Sequence, residues 1–181
     1  VTGNSGANKL QGLGGNDVLT GGAGVDVLIG GIGDDTMRGQ AGNDRISTAD
    51  GNDVVLYESI GDGRDSIFTF DGDATGGQDV LNLDALFDSL AVADGSRAAR
   101  VQITDKVATV EVRVDSNGDA DECDAVFAWF ELASSTGPGG SGLVSSSEGE
   151  GQPLVITRTS APGTYTFNME FRVNAPAIHG V

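Results

Sequence analysis

The sequence predicts an all-β chain: a parallel β-roll of nonapeptide repeats, then a capping segment and a small β-rich C-terminal module. Three observations predict it. A nine-residue repeat runs six times without a gap, over residues 3–11, 12–20, 21–29, 30–38, 39–47 and 48–56. Its eighth position is always apolar: Leu10, Leu19, Leu28, Met37, Ile46 and Val55. Beyond the repeats, apolar and polar residues alternate in short stretches such as VATVEVRV at 107–114, the period-two pattern of half-buried strands.

The repeat reads G-G-x-G-x-D-x-(large apolar)-x, and the third copy, GGAGVDVLI, fits it at every defined position. One inward apolar residue per nine is too sparse for a helix and too regular for a loop. A three-residue strand followed by a six-residue turn fits it. Two repeats then complete one circuit of a flattened coil, and stacked circuits pair strand on strand around a narrow core. The turns need glycine because several residues must take positive φ, which a Cβ makes costly.

Position six carries Asp17, Asp26, Asp35, Asp44 and Asp53, with Asn8 in the first copy. Turns on one side of the coil come from alternate repeats. One stack therefore holds Asn8, Asp26 and Asp44, and the other Asp17, Asp35 and Asp53. Carboxylates stacked at the ~4.8 Å strand spacing repel unless neutralised. Calcium suits them, with six to eight oxygens at about 2.3–2.6 Å, and turn carbonyls supply the remainder. Magnesium is less apt, since it prefers a compact octahedron and keeps its water. Without the ion, so thin a core predicts a disordered Gly/Asp-rich chain, because metal binding is then part of the folding free energy.

These residues resemble the RTX repeat of calcium-binding parallel β-rolls. The resemblance implies that carbonyls at turn positions one to four complete each ion's shell. It points to Gly12, Gly14, Gly21, Ala23, Gly24, Gly30, Gly31, Ile32, Gly33, Gly39, Gln40, Gly42 and Gly51 beside the position-six side chains. It also implies several bound calcium ions, export by type I secretion machinery and an extracellular or cell-surface location.

After residue 56, residues 57–59 break the register and a degenerate copy follows, in which Asp65 and Ile67 hold the ligand and core positions. The stretch D-x-I-x-x-F, a polar gap and D-x-L-x-L-x-x-L then resembles the segment that closes RTX rolls in type I secreted proteins. Asp65, Ile67, Phe70, Asp79, Leu81, Leu83 and Leu86 carry it. An open-ended stack would expose a strand edge and its core, which gives such a segment its reason.

Residues 84–93 read as a short helix with Leu83, Leu86, Phe87 and Leu90 on one face. Strands follow at 107–114 and 126–132, around the acidic run DSNGDADECD. That run begins like an EF-hand loop at Asp115, Asn117 and Asp119, but Ala120 stands for the glycine and Val126 for the bidentate glutamate. It reads either as an acidic hairpin turn or as a further calcium site, the latter by resemblance to type I secretion target domains. Residues 134–152 are a Gly/Ser-rich linker or loop. LVITRT and TYTFNMEFRV predict a hairpin that must pack on something else. The expected division is 1–68 for the roll, 69–133 for the cap and target-like module, 134–152 for the linker and 153–181 for the hairpin.

With 181 residues the chain makes one or two domains, and its net charge of −17 argues against nucleic acid and anionic membranes as partners. Bound calcium would cancel much of that charge. The single cysteine, Cys123, reads as a buried small residue, and the single histidine, His179, as solvated. One histidine makes a zinc site or a histidine-based triad implausible. The sequence shows no transmembrane run and no signal peptide, and it opens inside a repeat-like stretch, which suggests a fragment. The expected role is a non-catalytic calcium-binding module serving in export and display, for example in a large adhesin. The alternatives are the C-terminal module of a secreted enzyme, or a module that binds a cell-surface glycan or protein.

Overall fold

The computed structural model describes residues 1–70, 79–93, 96, 100–106, 109–118, 125–131, 154–160 and 163–172. The repeats form six strands: β1 (Lys9–Gly14), β2 (Val18–Ala23), β3 (Val27–Ile32), β4 (Thr36–Ala41), β5 (Arg45–Asp50) and β6 (Val54–Leu56). They alternate between two parallel sheets. Leu10 pairs with Leu28 and Leu28 with Ile46 on one side. Leu19 pairs with Met37 and Met37 with Val55 on the other. The chain thus winds about three circuits of a β-roll, as the repeat period predicts.

The strands are longer than the expected three residues. Each full strand has six, running from position seven of one repeat through position three of the next. The reason is that the ladder continues through the glycines, with Leu13 opposite Gly31 and Gly31 opposite Ala49. The bend is concentrated at positions two and four. Gly31 sits at φ 118° and Gly33 at φ 126°, conformations that side chains rarely adopt.

Position eight is buried in all six copies, and these side chains are the spine of the core. That spine continues through Tyr57, Ile67, Leu81, Leu83, Leu86, Phe87, Val92, Val112 and Val114, with Phe70, Leu90 and Val101 packed against it. The roll and the following segment therefore share one core.

Three inserted residues explain the next step. A one-turn 3-10 helix, Ile60–Asp62, is held by reciprocal capping between Ser59 and Asp62. Strand β7 (Asp65–Phe68) then rejoins the first sheet, with Ile46 opposite Ile67. Strand β8 (Val80–Asn82) rejoins the second, with Val55 opposite Leu81. Helix α1 (Asp84–Ser89) is shorter than the expected 84–93. It ends because Ala91 takes a positive φ of 53°, and Val92 N–H bonds the Phe87 carbonyl across the last turn.

Both strands at the C-terminal end of the roll, β7 and β8, are covered. Strands β9 (Val101–Lys106), β10 (Thr109–Val114) and β11 (Ala125–Glu131) form an antiparallel set, and β11 lies parallel to β7. Strand β9 was not expected from the sequence; VQITDK alternates too briefly to be read as a strand by itself, and its pairing with β10 supplies the order. The C-terminal hairpin, β12 (Leu154–Ser160) and β13 (Gly163–Arg172), lays β13 parallel to β8. Glu111 on β10 is buried between Arg113 at 3.1 Å and Arg64 at 3.5 Å, which ties this sheet to the roll. The expectations for Cys123, His179 and the 134–152 linker fall outside the described residues. Among the described residues no helix is long and apolar enough to cross a membrane.

Because the spine has one side chain per repeat, each is hard to replace. Leu28→Ala should cost ~2–5 kcal/mol in the folded, calcium-saturated protein. Leu13→Ala, at a position 75% exposed, should cost no more than about 0.5 kcal/mol. Urea midpoints of the two variants check this.

Candidate metal centre

The roll fixes where its carboxylates go. Each position-six residue lies just before a strand, and the next turn on the same side repeats it. In the first column Asn8 N–H donates to Asp26 Oδ1 at 2.7 Å, Asp26 N–H to Asp44 Oδ1 at 2.7 Å and Asp44 N–H to Asp65 Oδ1 at 2.8 Å. In the second, Asp17 N–H donates to Asp35 Oδ1 at 2.8 Å, Asp35 N–H to Asp53 Oδ1 at 2.7 Å and Asp53 N–H to Asp79 Oδ1 at 2.9 Å. One oxygen of each stacked carboxylate thus stitches two turns together.

The other oxygen has no such role. Oδ2 of Asp26, Asp35, Asp44 and Asp53 is buried without a hydrogen-bond partner. A buried charged oxygen left unpaired is costly, so each marks a place where positive charge is missing. For Asp26, Asp35 and Asp44 that place lies beside the first glycine of the turn; the turn of Asp53 opens with Thr48 instead. A Cβ built on Gly21 would fall 2.5 Å from Asp26 Oδ2 and 2.7 Å from the Gly39 carbonyl. On Gly30 it would fall 2.5 Å from Asp35 Oδ2 and 2.7 Å from the Thr48 carbonyl. On Gly12 it would fall 2.5 Å from the Gly30 carbonyl and 2.8 Å from Asp17 Oδ2. Asn8 Oδ1 and the Gly21 carbonyl converge in the same way on Gly3, and Asp44 Oδ2 and Asp65 Oδ2 on Gly39. Position one is glycine because a methyl group would occupy the space where these oxygens converge.

The donor set decides which ion fits. It is all oxygen, anionic and buried, and it joins carboxylates to backbone carbonyls, the set that calcium takes. Among the described residues no three His, Cys, Asp or Glu side chains gather as a metal group by themselves, so the carbonyls are essential to the fit.

Electrostatics agree. Burial pushes the Asp44 carboxyl up to about 6, with Asp26 and Asp62 adding like charge. Burial likewise pushes Asp53 up to about 7, with Asp79, Asp35 and Asp34 adding to it. Asp65 also rises to about 7 through burial, with Asp44 and Asp62 contributing. Tyr57, fully buried, keeps its proton and donates it to Asp65 Oδ2 at 2.9 Å.

The structure brings Asn8, Asp17, Asp26, Asp35, Asp44, Asp53 and Asp65 into the two columns. Of the turn carbonyls named above, those of Gly21, Gly30 and Gly39 face the cradles, while that of Ile32 accepts Gly15 N–H at 2.8 Å. Asp115 stands apart: its Oδ1 accepts Gly118 N–H at 2.6 Å in the turn that follows β10. Asn117 is exposed in that turn, and Asp119 lies outside the described residues. Sequence reading missed Asp79 as the fourth member of the second column, although Gln78-Asp79-Val80-Leu81 repeats the Asn16-Asp17-Val18-Leu19 pattern. It also missed the Thr48 carbonyl, hidden because threonine replaces the repeat's first glycine, and Tyr57, which lies outside the repeat.

Comparison with known proteins gives a match to the family model described as RTX calcium-binding nonapeptide repeat (4 copies), over residues 2–37 and 29–58. A search of curated proteins found no match. Among solved structures, the chain is similar to the solution structure of the AlgE6R3 subunit from the Azotobacter vinelandii mannuronan C5-epimerase. The two are 25% identical over 83% of this chain and 93% of that one, with a TM-score of 0.49.

Asp35→Asn keeps an acceptor for Asp17 N–H but removes charge from the middle of a column. It should raise the calcium midpoint of folding by roughly tenfold, about 1.4 kcal/mol, whereas Asn8→Ala at the end of the other column should raise it less. Equal midpoints in a calcium titration would contradict the stacking.

The raised carboxyl values also set a pH dependence. The metal-free roll binds protons more tightly than the unfolded chain, whose carboxyls titrate near 3.8. Its charge penalty is absent in stronger acid, grows as pH rises from about 4 to about 7 and is complete above that. Calcium-stripped protein should therefore show more β signal in far-ultraviolet circular dichroism at about pH 4.5 than at about pH 8. An equal or weaker signal in acid would contradict the assignment.

Proposed function

We propose, on the premise that residues 2–58 are RTX calcium-binding nonapeptide repeats, that this chain is a calcium-folded scaffold module of a secreted protein. The four buried carboxylate oxygens without partners carry the reading. Those of Asp26, Asp35 and Asp44 each lie beside a glycine cradle completed by a carbonyl or a second carboxylate of the next turn, while Asp53 lies in the turn that Thr48 opens. Calcium, when bound, supplies the positive charge that these groups lack. The chain's own residues do the rest. Asp Oδ1 atoms lock the turns, position-one glycines keep the cradles open, and the position-eight column fills the interior.

In this reading the ligands are Asn8, Asp26, Asp44 and Asp65 of the first column and Asp17 and Asp35 of the second, with the carbonyls of Gly21, Gly30, Gly39 and Thr48. Leu81, Leu83, Leu86 and Phe87 seal the core of the last circuit, and β11 and β13 cover its two outer strands. The role is structural: the clustered acids of the roll are committed to its columns. Where calcium is scarce, as inside a cell, the chain stays threadable, which suits export through a type I secretion channel. Where calcium is abundant it folds and displays whatever it is joined to, an adhesin being one fitting context.

Circular dichroism of the full chain in chelator and in millimolar calcium tests this at neutral pH. The expected result is a disordered spectrum in chelator and a β spectrum in calcium. A full β spectrum in chelator would show that the ion is not what folds the roll.

A further inference from the structure

We infer that Thr48 ends the second carboxylate column as an ion file: its side chain closes the cradle in which a further calcium would sit, between Asp53 and Asp79. The inference rests on the calcium reading above and concerns which positions the ions take.

The carboxylates for such a site are present. Asp53 N–H donates to Asp79 Oδ1, so the column continues one turn past the repeats. What differs is position one. In the preceding turn Gly30 leaves open the space where Asp35 Oδ2 and the Thr48 carbonyl converge. In the next turn that position is Thr48, fully buried, and a Cβ stands where the space would be. Its hydroxyl goes further. Thr48 Oγ1 donates to the Thr69 carbonyl at 2.8 Å. Thr69 follows Phe68, the partner of Ser47, as Thr48 follows Ser47. The Thr69 carbonyl is thus the register counterpart of the Thr48 carbonyl that faces the Gly30 cradle, and a side-chain proton takes it. Thr69 is held there by Ala49 N–H at 2.9 Å and by Ser47 Oγ at 3.0 Å, both to its Oγ1.

The first column ends in the same chemical way. Its last turn carries Ile60 at position one, and the Tyr57 hydroxyl takes Asp65 Oδ2. In each column, where the position-one glycine is missing, a buried hydroxyl donates to an oxygen at the end of the file, and Asp65 Oδ2 still faces the Gly39 cradle. The ions then number one for each open cradle, at Gly3, Gly12, Gly21, Gly30 and Gly39.

Native mass spectrometry of the full chain in saturating calcium tests this. Thr48→Gly should hold one ion more than the wild type, and Thr48→Ala, which keeps the Cβ, the same number. Equal counts for Thr48→Gly and wild type would overturn the inference, as would a gained ion in Thr48→Ala. A wild type that holds no calcium would overturn the calcium reading itself. Asp79→Asn gives an answer even if Thr48→Gly fails to fold. It keeps an acceptor for Asp53 N–H and should leave the wild-type count unchanged, whereas loss of an ion would place calcium at Asp79.

Discussion

A buried carboxylate shared between neighbouring turns is the interaction on which the roll depends. Its Oδ1 accepts a backbone N–H from the turn before, at 2.7 to 2.9 Å in every step of both columns. That bond sets how one circuit sits on the next. Its Oδ2 faces the space beside a glycine. The same stacking that orders the turns brings like charges to the ~4.8 Å strand spacing, and burial holds the carboxyls of Asp44, Asp53 and Asp65 above their ordinary range. Register and instability therefore come from the same carboxylates. A cation resolves the conflict without altering the geometry that created it.

The rest of the fold follows from how little else the roll has. One core side chain per nine residues is sparse against the entropy of ordering those residues. The interior is extended instead by Tyr57, Ile67, Leu81, Leu83, Leu86 and Phe87 from beyond the repeats, all fully or almost fully buried. Tyr57 belongs to both systems, since its ring joins the core and its hydroxyl binds Asp65. Covering β7 with β11 and β8 with β13 removes the exposed edges at the C-terminal end of the parallel stack, while β1 and β2 stand at the other end of their sheets.

Much of this was legible in the sequence because a strict period leaves few choices. The offset of the strand pairs, the buried column from Leu10 to Val55 and the division of the acids into two stacks all follow from counting in nines. Asp65 and Ile67 were legible because the degenerate copy keeps their spacing. Legibility stopped where contacts became non-local. The parallel pairing of β11 with β7 joins residues over sixty positions apart, with Ala128 opposite Asp65, and no local pattern encodes it. Asp79 could be read as a closing residue but not as a column member, because the chain between β7 and β8 does not keep the nine-residue count. The six-residue strands were missed because glycine usually signals a break, whereas here the ladder runs through it.

Cations in the glycine cradles of both columns are what reconcile the stacked charges with the fold. Anomalous difference density from crystals grown in calcium tests this most directly. Peaks are expected beside Gly12, Gly21, Gly30 and Gly39, each within about 2.3–2.6 Å of a carboxylate oxygen of its own turn. An ordered roll with those four positions empty, or with its ions bound away from the glycine cradles, would contradict it.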